Sequence, residues 1–303
     1  MSRIELRELQ PEDIPFGCQL TAEAGWNQTP RDWQRALQLA HGGAWLATLD
    51  GRTAGTVTTC CFDRVAWIAL LLVAEDARRQ GVGRALFHHA LTNLEQRGIS
   101  TVRLDATPLG QPLYEQQRFS VEFTLARYTG QPAFPRGSWA DPPLPRPMES
   151  STDDLYPSRD IVPLTRADLP GLFAIDAHIT RVPRAALLTA LLDDPATWGR
   201  CVRLDKTGEL GGFVLVREGR CAVHLGPCVA LGEAWGEGLL AAALRECEGR
   251  TVYVDIPTTQ RRACAVAEWA GLRVQRQLAR MTRGVSVAER LAGYWASSGP
   301  EKG

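Results

Sequence analysis

A short segment rich in arginine and glycine is the part of the sequence best suited to bind an anion. Its residues are Arg78, Arg79, Gln80, Gly81, Val82, Gly83, Arg84 and Ala85. The two glycines lack side chains that would keep a phosphate away from the backbone N–H groups, and the arginines add positive charge. The segment therefore predicts a site for a phosphate or pyrophosphate group.

The elements expected around this segment place it at a strand-to-helix turn. The continuous apolar run over residues 66–73 predicts a strand that is buried on both faces. Apolar residues recur at helical spacing over 86–94, and Gly98 follows as a stop signal. Residues 101–106 then alternate as the next strand. The first turn of a helix attracts anions through its free N–H groups and its dipole, so the position supports the predicted site.

Two common nucleotide-binding motifs do not fit the segment. A Walker A motif, GxxxxGK[ST], is absent from the sequence, and Leu86 stands where a dinucleotide fingerprint needs its third glycine. Arg78, Gly81 and Gly83 match R/Q-x-x-G-x-G after a buried strand. In this respect the chain resembles the GNAT superfamily of acyl-CoA N-acyltransferases, whose loop of this form holds the coenzyme A pyrophosphate. The alternative is a glycine-rich turn that only lets a helix pack closely.

The resemblance implies a complete binding mode for acetyl-CoA as co-substrate, without a metal. The strand end from Leu71 to Val73 is expected to separate from its neighbour and to present backbone groups to the pantetheine arm. The Val73 amide would polarise the thioester carbonyl, a contribution that is typically worth ~2.7–4 kcal/mol in the barrier. Residues 79–84 would surround the pyrophosphate, mainly through main-chain N–H groups.

Tyr114 and Asp105 are the catalytic candidates that the resemblance implies. GNAT enzymes often carry a tyrosine at the place of Tyr114, close to the coenzyme sulfur, and a protonated phenol can donate to the leaving thiolate. Its ring could instead simply pack in the core. Asp105 aligns with a carboxylate that acts as base in ribosomal-protein-type N-acetyltransferases, and its alternative role is to anchor the following turn. Arg118 departs from the family, which usually has glycine before the phenylalanine at this point.

A weak internal repeat indicates that one α+β domain with a mixed sheet has been duplicated, giving two tandem GNAT folds. Segments in the first half match segments of similar pattern about 150–156 residues later. The clearest pairs are 45–57 with 201–216, 102–108 with 252–258, and 127–130 with 280–284. Between the halves lies a proline-rich stretch. We therefore predict a catalytic domain over 1–131, a linker over 132–158 and a second domain over 159–303.

The second copy keeps the pattern of the fold but loses the chemistry. Its predicted loop has Glu233 and Glu237 around Gly236 and Gly238, and two carboxylates would repel a pyrophosphate. Ala267 stands at the Tyr114 position. We expect this half to be a degenerate GNAT-like domain without its own cofactor.

Composition excludes several other classes of function. Lys+Arg and Asp+Glu number 34 each, which argues against a nucleic-acid groove. Apolar runs are too short for a membrane span, and the eight cysteines show no zinc-type spacing. We expect a bacterial cytoplasmic protein that binds neither nucleic acid nor membranes and is compatible with a homodimer.

These patterns predict an N-acetyltransferase. The N-terminal half would transfer an acetyl group from acetyl-CoA to a small primary amine by direct attack in a ternary complex. Two alternatives stay open: a non-catalytic acyl-CoA sensor or scaffold, and an acetyltransferase of protein N-termini or side chains. The last would need an open acceptor groove in place of a pocket closed by the second half.

Overall fold

A computed structural model describes residues 3–134, 161–204 and 208–303 of the chain. The predicted linker over 132–158 lies outside the described residues except for 132–134. The fold class predicted from the sequence, a mixed α/β sheet with two copies of one fold, is confirmed.

The first half contains the strand, turn, helix and strand that the sequence predicted around the arginine- and glycine-rich segment. Its elements are β1 (Ile4–Glu8), α1 (Ile14–Glu23), α2 (Pro30–Ala40), β2 (Ala44–Leu49), β3 (Arg52–Phe62), β4 (Val65–Val73), α3 (Val82–Gln96), β5 (Thr101–Ala106), α4 (Gln111–Gln116) and β6 (Ser120–Gly130).

The second half repeats this order and adds one short strand after it. Its elements are β7 (Ile161–Pro163), α5 (Leu169–Thr180), α6 (Ala185–Leu192), β8 (Thr197–Arg203), β9 (Leu210–Arg217), β10 (Val223–Ala230), α7 (Glu233–Glu246), β11 (Val252–Pro257), α8 (Arg261–Trp269), β12 (Arg273–Gly284) and β13 (Tyr294–Ala296). The extra strand is β13, and it has no counterpart among the described elements of the first half.

One continuous sheet runs through both halves. The strand order is β1-β2-β3-β4-β5-β12-β6-β11-β10-β9-β8-β7, with β13 paired to β10. Strand β12 of the second half therefore lies between β5 and β6 of the first, and β6 in turn lies between β12 and β11. Each half gives its last long strand to the sheet of the other, so the halves share a backbone hydrogen-bonded seam.

Helix α3 covers the first-half sheet with the apolar stripe that its sequence predicted. Leu86, Phe87, Ala90, Leu91 and Leu94 are all at most 3% exposed and pack in one core cluster with strands β2 to β5. Burial of each large apolar side chain contributes about 1.5–3 kcal/mol. This packing fixes the N-terminus of α3 beside the end of β4.

No helix in the described part of the chain is long and apolar enough to cross a membrane.

Candidate active site

A cleft opens in the first-half sheet where strands β4 and β5 separate. Their parallel pairing is confined to Val65–Trp67 opposite Thr101–Arg103. Beyond these residues β4 continues to pair with β3 as far as Val73, while β5 pairs with β12. Residues 71–73, which the resemblance assigned to the pantetheine arm, thus lie on the part of β4 that pairs with β3 but not with β5.

A β-bulge reorients β4 just before the cleft. Thr56 pairs with Leu72 and Thr58 pairs with Ala69, so two residues of β4 face the single Val57 of β3. Leu70 adopts a positive φ of 48°, which a leucine rarely does, and its side chain is only 2% exposed. The hydroxyl of Thr56 donates to the Leu70 carbonyl at 2.9 Å and holds this conformation.

The backbone of Val73 faces the cleft. The N–H of Ala74 donates to the Ala54 carbonyl at 2.9 Å, so Ala74 is the residue that bonds to β3. Because bonded and non-bonded positions alternate along an antiparallel pair, the N–H and C=O of Val73 point away from β3. The Val73 carbonyl accepts from Arg78 Nε at 3.3 Å, which agrees with this direction. A hydrogen-bond donor is therefore available where a thioester carbonyl would need it.

The arginine- and glycine-rich segment forms an irregular turn that ends at the N-terminus of α3. Gly81 has φ 89° and caps the helix, a conformation that favours glycine. The first helical bond runs from the Ala85 N–H to the Gly81 carbonyl at 3.0 Å. The N–H groups of Val82, Gly83 and Arg84 consequently have no acceptor within the helix.

Positive side chains surround these free N–H groups. Arg78, Arg79 and Arg84 are exposed, and none of them forms an ion pair within the described ranges. The Gln80 side chain donates to the Asp76 carbonyl at 2.8 Å and braces the turn. Free N–H groups and guanidinium groups that form no ion pair in the described ranges suit a pyrophosphate, and they belong to the segment for which the sequence predicted a phosphate site.

Tyr114 lies on α4 and lines a cavity that extends from the cleft and is open to solvent. Its ring packs on Phe87 and Phe119, with centroid separations of 5.2 and 6.2 Å. Its hydroxyl has no hydrogen-bond partner among the described residues. Burial raises the pKa of Tyr114 to about 12, so the phenol stays protonated and able to donate at neutral pH. Arg118, which replaces the family's usual glycine, keeps the left-handed turn after α4 with φ 65°.

Asp105 lies at the same cavity but is not free. Arg280 of β12 donates to both of its carboxylate oxygens, from Nε at 2.8 Å and from Nη2 at 2.9 Å. Both side chains are fully buried. Burial raises the pKa of Asp105, and the guanidinium of Arg280 opposes that rise. Asp105 therefore joins β5 to β12, a structural contact that differs from the predicted anchoring of the turn after β5.

The far wall of the cavity comes from residues that sequence reasoning did not identify. Arg127 of β6, Arg276 and Leu278 of β12, and Pro300 and Glu301 all line it. Glu301 is 5% exposed and accepts a hydrogen bond from the Gln28 side chain of the α1–α2 loop. No local pattern indicates these positions, because they reach the cavity only through the exchange of β6 and β12 and the path of the chain after β13.

In the second half, the equivalent cleft is occupied by the chain itself. Strands β10 and β11 pair only over Val223–Leu225 and Val252–Val254, after which they separate. Strand β13 lies in the resulting gap, paired to β10, and the next N–H, from Ser297, donates to the Asp255 carbonyl of β11 at 2.8 Å. The space that would receive a pantetheine arm is therefore filled.

The second-half turn also differs from the one that the sequence comparison suggested. Gly236 and Gly238 lie within α7 and do not form a loop before it, since only residues 231–232 separate β10 from α7. A side chain at Gly236 would overlap the indole of Trp295 in β13, with Cβ at 2.0 Å from Cε2. Glu237 is buried and bonded to Arg262 at 2.5 Å. These glycines serve helix packing, which corrects their predicted equivalence to the first-half loop.

No group of three or more His, Cys, Asp or Glu residues positioned to hold a metal ion occurs in the ranges that the structure describes.

Comparison with known families matches both halves. The model of the acetyltransferase (GNAT) family matches residues 6–119, and that of an acetyltransferase (GNAT) domain matches residues 172–293. The uncharacterized N-acetyltransferase YitH of Bacillus subtilis (strain 168) is 26% identical over 231 residues, which are 75% of this chain and 73% of that protein. The resemblance predicted from the sequence is confirmed for each half.

Solved structures show the same fold over nearly the whole chain. A putative acetyltransferase from Pyrococcus horikoshii superposes with a TM-score of 0.78 at 21% identity, covering 99% of this chain and 96% of that one. A tandem GNAT protein from the clavulanic acid biosynthesis pathway superposes with a TM-score of 0.62 at 17% identity, covering 95% and 100%. At these identities the likeness concerns the fold.

Proposed function

We propose that this chain, which consists of two GNAT domains in tandem, is an N-acetyltransferase whose N-terminal half transfers an acetyl group from acetyl-CoA to a small primary amine. One observation carries the assignment to that half. The cleft between β4 and β5 is open and contains the Val73 N–H and the Tyr114 hydroxyl, whereas β13 fills the cleft between β10 and β11.

The residues of the first cleft fit acetyl-CoA, which would supply the activated acyl group. The free N–H groups at the start of α3 and the arginines beside them would hold the pyrophosphate. The Val73 N–H would donate to the thioester oxygen as negative charge develops there. The acceptor nitrogen would form its bond to the carbonyl carbon as the carbon–sulfur bond breaks.

Proton transfers complete the reaction. The Tyr114 hydroxyl would donate its proton to the departing sulfur, for which its high pKa and its lack of a hydrogen-bond partner in the described chain suit it. The attacking ammonium must lose a proton first. Because Arg280 occupies both oxygens of Asp105, we assign Asp105 the structural role of joining β5 to β12, and we assign water in the cavity the role of proton acceptor.

The walls of the cavity favour a small acceptor over a protein. Strand β12 and residues Pro300 and Glu301 close the side opposite β4, so the second half forms part of the pocket. A protein N-terminus would need an open groove at this place. A sensor that binds acyl-CoA without turnover is the second candidate, and the free hydroxyl of Tyr114 favours turnover.

Calorimetric titration of coenzyme A tests the assignment. We expect one site per chain, abolished by Gly83→Glu, which places a carboxylate at the pyrophosphate. Gly238→Glu is the matched control, because Gly238 also lies near the start of a helix but next to the filled cleft. Two equal sites, or a site lost only in Gly238→Glu, would refute the proposal.

Turnover separates the enzyme from the sensor. Release of free thiol from acetyl-CoA, measured across a panel of small amines, is expected for the enzyme. Coenzyme A binding without thiol release for any amine would support the sensor.

A further inference from the structure

One arginine that lines the cavity beside Tyr114 has no ion-pair or hydrogen-bond partner among the described residues. Arg276, Leu278 and Arg280 alternate along β12 and therefore share one face of the strand. Arg280 is neutralised by Asp105, but no ion pair or hydrogen bond involves the Arg276 side chain within the described ranges. Its Nε is buried without an acceptor, although the side chain lines the cavity.

The position of Arg276 lowers the stability of the fold. It pairs directly across the sheet with Arg127 of β6, and like charges in that relation are destabilising. Arg127 has its own partner, because Asp255 binds it at 2.7 Å through both oxygens. Burial and the charge of Arg127 lower the pKa of Arg276. The carboxylate of Glu301, which lines the same cavity, is bonded to Gln28 and Lys302 and forms no ion pair or hydrogen bond with Arg276.

The duplicated fold has a different type of residue at the equivalent position of the other half. In the register of β6 against β12, Arg276 faces Arg127 and Arg280 faces Phe123. The pseudo-symmetry that exchanges Arg127 with Arg280 therefore exchanges Phe123 with Arg276. The position in β6 that is equivalent to Arg276 is therefore the apolar Phe123, whereas Arg276 itself lines the cavity of the first half.

Resting on the proposed function, we propose that Arg276 binds a carboxylate of the acceptor, so that the acceptor is a small amine that carries a carboxylate. A guanidinium group recognises a carboxylate through two parallel hydrogen bonds. Tyr114 and Leu71 line the same cavity as Arg276. A small amino acid bound by its carboxylate at Arg276 would therefore have its amino group in the same cavity as the reacting thioester.

The test compares matched acceptors. For an α-amino acid and the amine left by its decarboxylation, the ratio of kcat/KM values gives the preference for the carboxylate. We expect Arg276→Gln to lower this ratio by about 10- to 100-fold, the effect of losing a hydrogen-bonded charge, and Arg276→Lys to restore part of it. Arg273→Gln is the control, since Arg273 is an exposed arginine on the same strand outside the cavity. An equal ratio in wild type and Arg276→Gln would overturn the proposal.

A second experiment determines whether the carboxylate that Arg276 binds belongs to the acceptor or to the acyl group of the donor. Succinyl-CoA and acetyl-CoA are compared as donors to the amine without a carboxylate. A loss of succinyl-CoA use in Arg276→Gln, with the acceptor ratio unchanged, would overturn the assignment to the acceptor.

A binding experiment keeps the anion site separate from the proposed activity. Calorimetry of N-acetyl amino acids, the products of the reaction, is performed on the wild type and on Arg276→Gln. Binding lost in the variant supports the carboxylate site even if no amine is acetylated, in which case the proposed function alone fails. Equal binding to both proteins contradicts the site.

Discussion

Arg280 and Asp105 form a bidentate ion pair between residues 175 positions apart in the chain, with distances of 2.8 and 2.9 Å. Arg127 and Asp255 form the equivalent bidentate ion pair, in which both nitrogen–oxygen distances are 2.7 Å. Each pair joins a strand of one half to a strand of the other, at the seam where β6 and β12 are exchanged. The residue that the family resemblance offered as a base thus also connects the two halves.

Asp105→Asn is expected to destabilise the protein by about 3–5 kcal/mol, because it leaves the buried guanidinium of Arg280 without its counter-charge. Urea unfolding measures the loss. The double variant Asp105→Leu/Arg280→Met should recover most of the stability, since it removes both charges. If Asp105→Asn instead kept its stability and lost kcat, Asp105 would be the base and its structural role as the partner of Arg280 would be wrong.

Tyr114→Phe is expected to lower kcat by roughly 10²-fold or more, as loss of a general acid does. Coenzyme A affinity should stay unchanged, because the hydroxyl has no bond to the described part of the protein. Steady-state kinetics and calorimetry measure the two quantities. Since the pKa of Tyr114 is about 12, its deprotonation should not reduce the wild-type rate at pH 9–10. An unchanged kcat in the variant would exclude Tyr114 as the acid.

His224 should make the protein less stable in mild acid. Burial, and next the charge of Arg217, lower its pKa to about 3, against 6.5 for the free side chain. Between these values the unfolded chain binds a proton that the native state does not, so stability falls as the pH falls from 6.5 towards 3. From pH 7 to pH 5 this one group should remove about 2 kcal/mol.

The acid effect is measured by urea unfolding of the wild type and of His224→Gln at both pH values. The variant should lose less stability than the wild type over this interval, because the titrating group is gone. Equal losses in the two proteins would show that His224 is not responsible.

Thr56→Val tests whether the bulge directs the Val73 N–H into the cleft. The substitution keeps the size of the side chain and removes the 2.9 Å bond to the Leu70 carbonyl. We expect a stability loss of about 1–3 kcal/mol from the unsatisfied acceptor and a lower kcat. Thr58→Val is the control, because its bond to the Ala69 carbonyl is longer, at 3.3 Å. Equal kcat values in both variants and the wild type would contradict this role.

The features that were predictable from the sequence depend on short-range patterns. The apolar run before the glycine-rich segment, the stripe on α3 and Gly81 at a helix cap are fixed by neighbours within one strand or a few turns. The comparison of the two halves likewise used only ordered local similarities.

The sequence by itself determined the duplicated fold and the arginine- and glycine-rich turn at the start of α3. Tertiary structure decided the rest of the site. Strands β6 and β12 are exchanged between the halves, and β13 fills the cleft of the second half. Arg276 and Glu301 line the cavity of the first half only because of this arrangement. Side-chain periodicity states which face of a strand is buried but not which distant strand pairs with it. The pairing of distant strands depends on the combined packing of both halves. The cavity that Tyr114 lines therefore forms only when the whole chain folds.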